Sequence, residues 1–276
     1  MTTNPSEDSD DKKFVGAGDA PPSYDTTPLS ESSSATRQSF SLSSFFSFLF
    51  AARQKRTAVL SRIRDIVLTP DFNQSSAASI INACAADLTT KGFSKLLQKP
   101  NIEDHTALYW AIVNNQREVV VALAAFISEC SPACSSELRL ACMATSDHAS
   151  FMQLKLANID AKGEVLRRSL GCPPDEIEVG MGNDDQFVVS FRIRKFQKRL
   201  RITQKLNYEF VADGRIWFLR FDMSTVQWKW HVLYGISSPS LPACPKASFQ
   251  IEGKPGREPL KLPPGDEFIE TIVPQE

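Results

Sequence analysis

The residues able to do covalent or metal chemistry are few. Three histidines, His105, His148 and His231, and six cysteines stand in a chain of 276 residues. The one spacing among them that metal binding would use is Cys130-x-x-x-Cys134 followed by Cys142 and His148, four ligands of the kind that hold zinc. Pro132 inside the pair, and Cys142 in a packed small-residue position, favour structural thiols instead. No histidine lies beside a serine or cysteine in a nucleophile setting, and no Gly-rich phosphate loop, dinucleotide fingerprint or His-Glu-x-x-His occurs. Asp184-Asp185 beside Gly182-Asn183 reads as a loop. An enzyme would need a pocket near Trp217, Trp228, Trp230 and His231, residues that in alternating strands more often pack than react. The expectation is a chain without catalytic residues, metal or cofactor, which acts by binding.

The candidate binding chemistry is charged and aromatic. Lys+Arg number 31 against 32 Asp+Glu, a net charge of -1, which excludes a surface built throughout for nucleic acid. Locally the balance breaks. Arg192, Arg194, Lys195, Lys198, Arg199, Arg201 and Lys205 fall within fourteen residues without one acid, a spacing suited to phosphate or an anionic membrane. The plainer reading is a solvated sheet face whose cations guard its edge. Phe40 to Phe50 places Leu42, Phe45, Phe46 and Leu49 on one helical face, with Phe48 and Phe50 broadening it, and Arg53, Lys55 and Arg56 follow. Such a helix is first expected to pack on its own domain. The alternative is an interfacial membrane contact through Phe45, Phe46, Phe48 and Phe50.

Four compositions position these groups. Residues 1–54 hold twelve serines, an acidic block from Glu7 to Glu31 and few core formers, so a disordered tail is expected, with the aromatic amphipathic segment at 40–50 inside it. Within the tail, Pro21-Pro22-Ser23-Tyr24 has the PPxY pattern and is similar to WW-domain ligands. There two prolines hold polyproline II against aromatic grooves and the tyrosine fills a neighbouring pocket. That resemblance implies recruitment of a WW-containing ubiquitin ligase through Pro21, Pro22 and Tyr24. Residues 55–170 read as short helix pairs, beginning with Val59, Ile63, Ile66 and Val67 at helical spacing before Thr69-Pro70. An apolar-x-x-Ala-apolar motif recurs at Ile80–Cys84, Leu108–Ile112 and Leu138–Cys142.

Asn101-Ile-Glu-Asp-His-Thr106-Ala107-Leu108-Tyr109-Trp110-Ala111-Ile112, then Glu118-Val119-Val120 and Leu123, resembles one ankyrin repeat, with Ala107, Tyr109 and His105 departing from the family's Pro, His and Gly. The flanking units, Ser75–Gln98 and Ser136–Leu156, keep only the helix-pair spacing. The resemblance implies a protein-binding module whose contacts come from Asn101, Glu103, His105, Tyr109, Asn114 and Gln116, while Trp110 packs against the next repeat. From Gly171 the period becomes two. Strands are expected at 176–181, 187–193, 200–210, 215–221, 226–234 and 247–251, with Asp213-Gly214 as a hairpin turn. The region 255–276 is Pro-rich, and Phe268 to Val273 could add an edge strand.

The expected architecture is therefore α+β and multidomain. An ankyrin-like helical-repeat module (55–170) precedes a small antiparallel β-sandwich or barrel (171–254), between a disordered N-terminal tail (1–54) and a Pro-rich C-terminal tail (255–276). The expected function is a non-enzymatic protein–protein adaptor in the cytoplasm. The alternative is a peripheral membrane or anionic-phosphate-binding protein using the Phe-rich segment and the basic strands. No apolar run reaches the roughly 18 residues of a membrane span.

Overall fold

The computed structural model describes residues 42–69, 72–158, 160–182, 186–223, 230–243, 247–252, 258 and 260–262, with only the backbone path for 42–46, 48, 74, 230 and 260–262. The Pro21-Pro22-Ser23-Tyr24 motif, Asp184-Asp185, Trp228 and Phe268–Val273 lie outside the described residues. Helices come first: α1 (Leu42–Leu68), α2 (Gln74–Ala86), α3 (Thr90–Leu97), α4 (Ala107–Val113), α5 (Arg117–Ala124), α6 (Pro132–Ala144), α7 (His148–Gln153) and α8 (Ala161–Ser169). Then follow β1 (Glu176–Met181), β2 (Phe187–Arg192), α9 (Phe196–Thr203), β3 (Lys205–Ala212), β4 (Arg215–Met223), β5 (Trp230–Ile236), β6 (Phe249–Ile251) and β7 (Leu260–Leu262). The chain is thus mixed helix and small antiparallel sheets, as expected at that level.

Caps fix the short helices. Thr89, Thr106, Ser131, Asp147 and Asp160 each accept a backbone N–H of the following turn through the side chain, which satisfies a donor that helix geometry leaves open. The turns ending α4 and α6 match. Asn115 and Ser146 both take positive φ, and Gln116 N–H bonds Ala111 O as Asp147 N–H bonds Cys142 O. The matching positions are 31 residues apart, so Ala111 corresponds to Cys142, one place from the Ala141 that the sequence motif pairs with it. By the same offset, Leu108 corresponds to Arg139. α4 packs on α5 and α6, α6 on α7, and α2 on α5.

α1 does not stop at residue 54. No Gly or Pro lies between Leu42 and Leu68, and Ala51-Ala52-Arg53-Gln54-Lys55-Arg56 are strong helix formers. Its C-terminal half buries Val59, Ile63, Ile66 and Val67. Gln116 is only 1% exposed and donates from Nε2 to Ile66 O (3.1 Å) and Thr69 O (3.0 Å), while Asn114 Nδ2 donates to Val67 O (2.7 Å). These two amides close the end of α1 against the α4–α5 turn.

β3–β4–β5 form an antiparallel meander, and Asp213 and Gly214 both take positive φ in the expected β3–β4 turn. One face carries Val211 and Ile216 into the same core as the helices. The other presents Phe210, Ala212 and Trp217 to Ile177, Val179, Phe187, Val189 and Phe191 of the β1–β2 hairpin. Period-two side chains explain this division, because alternate residues of one strand serve two cores. The core therefore runs across residue 170, and the helices and the meander belong to one compact unit that extends from Phe46. β7 pairs with β6 within the segment expected to be a Pro-rich tail, since Leu260 and Leu262 retain alternation between prolines.

The expected strand 200–210 is corrected. Phe196–Thr203 is helical, Leu200 is buried and Ile202 is exposed. Eight residues complete only about two turns, too few for alternation to be told from a helical face. Left-handed Lys195 and Gln204 bracket this helix.

Gln116→Ala leaves the buried Ile66 carbonyl and the partly buried Thr69 carbonyl without this donor and should destabilise the protein by about 1–3 kcal/mol in urea denaturation. Val121→Ala, on the exposed side of α5, should stay within about 0.5 kcal/mol of wild type.

Candidate functional site

Four of the six expected contact residues gather around a two-residue hairpin. Ile102 and His105 exchange backbone hydrogen bonds (3.1 and 3.0 Å), and Glu103 and Asp104 turn between them with φ of 48° and 63°. His105 stacks on Tyr109, with centroids 3.8 Å apart and planes at 8°, and Tyr109 meets Trp110 edge-on at 5.5 Å. Trp110 Nε1 donates to Ile102 O at 2.8 Å, so this tryptophan braces its own hairpin as well as packing in the helical core. Beneath the ledge, Glu137 of α6 accepts the Thr106 N–H at 3.0 Å, and its other oxygen lies 3.9 Å from His105 Nδ1. Exposed Glu103 pairs with Arg64 at 3.0 Å, and Asn101 Nδ2 holds Leu96 O at 2.9 Å. A half-open ring face flanked by carboxylates suits recognition of another chain's side chains. Asn114 and Gln116 leave this set, because their amides are engaged by the end of α1.

The basic patch is also divided. Arg199 is buried on α9 and donates to Asp175 Oδ1 at 2.6 Å, while Tyr208 OH donates to Asp175 Oδ2 at 3.0 Å. Burial pushes the Tyr208 phenol up, and the Asp175 charge beside it adds to that rise. Arg192 pairs with Glu176 at 2.7 Å, and Lys195 Nζ donates to Leu170 O at 2.9 Å. Arg194, Lys198, Arg201 and Lys205 remain exposed, without an ion pair among the described residues. The outward cations are thus Lys198 and Arg201 on α9, flanked by Arg194 before it and Lys205 at the start of β3, beside one structural arginine.

The main polar centre was not among the sequence candidates. Arg139, 8% exposed, donates from one nitrogen to Glu209 Oε2 (2.8 Å) and Leu156 O (2.7 Å), and from the other to Glu209 Oε1 (3.3 Å) and Ser238 O (3.5 Å). Glu209 also accepts from Asn158 N–H (2.7 Å) and Ser237 Oγ (2.7 Å). Burial pushes the Glu209 carboxyl up, but Arg139, Asn158 and Ser237 outweigh it and hold the group below its ordinary value. A signal existed. Arg139 occupies the helix position that Leu108 fills with an apolar side chain, and Glu209 sits two residues before Val211 on one strand face.

His148 is engaged on both nitrogens, with Nε2 3.1 Å from Ile177 O and Nδ1 accepting Val211 N–H at 3.3 Å. Burial lowers its pKa. Among the described residues no three His, Cys, Asp or Glu converge as a metal would require. Cys134, at the start of α6, hydrogen-bonds Cys130 and lowers that thiol to about 7 against the opposing effect of burial. The same bond, together with burial, pushes Cys134 up. Trp217 is buried with Nε1 on Ala212 O, and His231 is exposed. Neither protein-family models, curated proteins nor solved structures contain a match to this chain.

Removing one partner of the Arg139–Glu209 pair should cost about 3–5 kcal/mol, whereas the double variant Arg139→Met/Glu209→Leu should recover much of that loss in urea denaturation. Because the folded Glu209 pKa lies below its unfolded value, its stabilisation is complete above the ordinary glutamate range and is lost as pH falls through the folded value. The urea midpoint of the wild type should therefore drop more steeply on acidification than that of Glu209→Gln. Iodoacetamide near neutral pH should alkylate Cys130 ahead of Cys84, Cys134 and Cys142, as read by peptide mapping.

Proposed function

We propose that this protein is a non-enzymatic adaptor that binds another protein through the ledge of Asn101, Glu103, His105 and Tyr109. One observation carries the reading. The hairpin at 102–105 projects Glu103 and Asp104 to solvent while its aromatic base is held by Trp110, Thr106 and Glu137, so the exposed groups are presented on a braced support. Preorganisation of this kind reduces the ordering entropy that binding must overcome.

The ankyrin-like interpretation of 55–170 rests on three features: Thr106 as the N-cap of α4, the matched turns 31 residues apart, and the packing of α4 on α6. In this reading α1 and α2 form the unit before α4–α5, since α2 lies on α5 and the α1 end bonds the α4–α5 turn, and α3 is an insertion. That shifts the first unit from Ser75–Gln98 towards α1–α2. The β1–β2 hairpin over one face of the β3–β5 meander is the sandwich-like part, and the meander's other face, with Val211 and Ile216, closes the helical stack where a further repeat would lie. Pro21, Pro22 and Tyr24 would add a WW-domain ligand and so bring a ubiquitin ligase to whatever the ledge holds. The cytoplasm is the compartment in which such a ligase would be met.

Two measurements check the two ends separately. A recombinant WW domain from a HECT-type ligase should bind the full chain in titration calorimetry and lose that binding to Tyr24→Ala; equal binding would remove the recruitment claim. Captures from native lysate by wild type and by Glu103→Arg, at an exposed position, should differ by loss of specific proteins while the variant keeps its thermal midpoint. Identical captures would remove the ledge as the binding surface.

A further inference from the structure

From Ser47 to Ala58 every described side chain of α1 is exposed, including Leu49 at 47% and Phe50 at 71%, and burial begins abruptly at Val59, 1% exposed. An arm of about 18 Å, at 1.5 Å per residue, therefore stands clear of the body that its own C-terminal half helps to build. Leu49 and Phe50 thus do not pack on the domain as first expected, while the side chains of Leu42, Phe45, Phe46 and Phe48 lie outside the described residues.

The face of this arm has an order. Positions 49, 53, 56, 60, 63 and 67 follow the four-three spacing that keeps one side of a helix in line. Along that line stand Leu49, then Arg53 and Arg56, then Leu60, Ile63 and Val67 against the core. The seam is apolar at both ends and cationic between. Lys55 adds a third charge, Arg62 and Arg64 follow, and no acid occurs from Ser32 to Arg64. Arg62 and Arg64 are paired with Asp87 and Glu103, but Arg53, Lys55 and Arg56 have no ion pair among the described residues.

We propose that this arm binds the surface of an anionic lipid bilayer, with Leu49 and Phe50 entering the acyl boundary and Arg53, Lys55 and Arg56 at the phosphates. The chemistry matches in order as well as in sign. Apolar side chains gain from leaving water, and cations one to two turns away reach the headgroup level on their long stems. A second copy of the chain fits less well. Pairing two such seams would bring Arg53 and Arg56 of both copies together without an acid to neutralise them, the opposite of a helix-pairing interface. The arm does not cross the membrane, since no described helix is long and apolar enough. The ledge proposed for protein binding lies on other residues and is independent of this contact.

Flotation of the full chain with phosphatidylcholine vesicles, with and without phosphatidylserine, tests the proposal. Binding should require phosphatidylserine and weaken with salt. Leu49→Ser/Phe50→Ser should reduce it at least about tenfold. Arg53→Ser/Lys55→Ser/Arg56→Ser should reduce it about 100-fold, from roughly a fivefold factor per cation. Because all five side chains are exposed, both variants should keep the wild-type thermal midpoint, which separates lost binding from lost folding. Absence of wild-type binding, equal binding to phosphatidylcholine alone, or unchanged binding by Leu49→Ser/Phe50→Ser overturns the proposal. So does a dimer in light scattering that Leu49→Ser/Phe50→Ser returns to monomer while vesicles capture nothing, a result that would assign the arm to a second copy.

Discussion

The junction between the helices and the sheet depends on one buried ion pair, Arg139 with Glu209. A lone charge in that position would be severely penalised by loss of water. The structure meets the demand by distributing hydrogen bonds: Arg139 reaches Leu156 and Ser238 as well as the carboxylate, and Glu209 receives Asn158 and Ser237. These partners come from α6, the chain after α7, β3 and the segment after β5. The pair thus fixes four parts of the chain at one point, which an apolar contact of similar size would not orient. Its charge supplies direction, while Val211, Ile216 and the helical residues around them supply the apolar area.

From that point the rest follows in two directions. The helices run back through matched turns to the α4–α5 pair, where Gln116 and Asn114 secure the end of α1 and Glu137 steadies the hairpin from below. The meander runs forward to its second face, where β1–β2 covers Phe210 and Trp217. His148 joins both directions, because one ring nitrogen meets β1 and the other β3. Function, in the proposed reading, sits at the far ends of this frame: a braced ledge at residues 101–109 and a projecting helical arm before Val59. Both present exposed groups, Glu103 and Asp104 on the ledge and Leu49 to Arg56 on the arm, on a support whose core lies beneath them, which is where binding residues can vary without loss of folding.

Much of this was legible in the chain itself. Local rules sufficed for β1, β2 and the Asp213-Gly214 turn, since alternation and positive-φ residues act within a few positions. The same holds for Thr106 as a helix start and for the buried face of Val59, Ile63, Ile66 and Val67. The stretch before Arg53 was legible as a helix, although the exposure of Leu49 and Phe50 was not. The α9 segment was misread because Leu200, Ile202 and Leu206 alternate over a run too short to exclude a helix, and the deciding contacts, Arg199 to Asp175 and Tyr208 to Asp175, cross 24 and 33 positions.

What only the tertiary structure decided are the outcomes that depend on partners distant in sequence. Gln116 reads as a turn residue open to a ligand, yet the end of α1, about fifty positions earlier, claims its amide. Arg139 reads as one of many surface cations, yet Glu209, 70 positions later, makes it the centre of the junction. The sequence by itself determined the periods, caps and turns, because those are settled by neighbours along the backbone. Which polar side chains would be consumed by the fold, and which left for binding, was set by long-range pairing, and no local pattern carries that information.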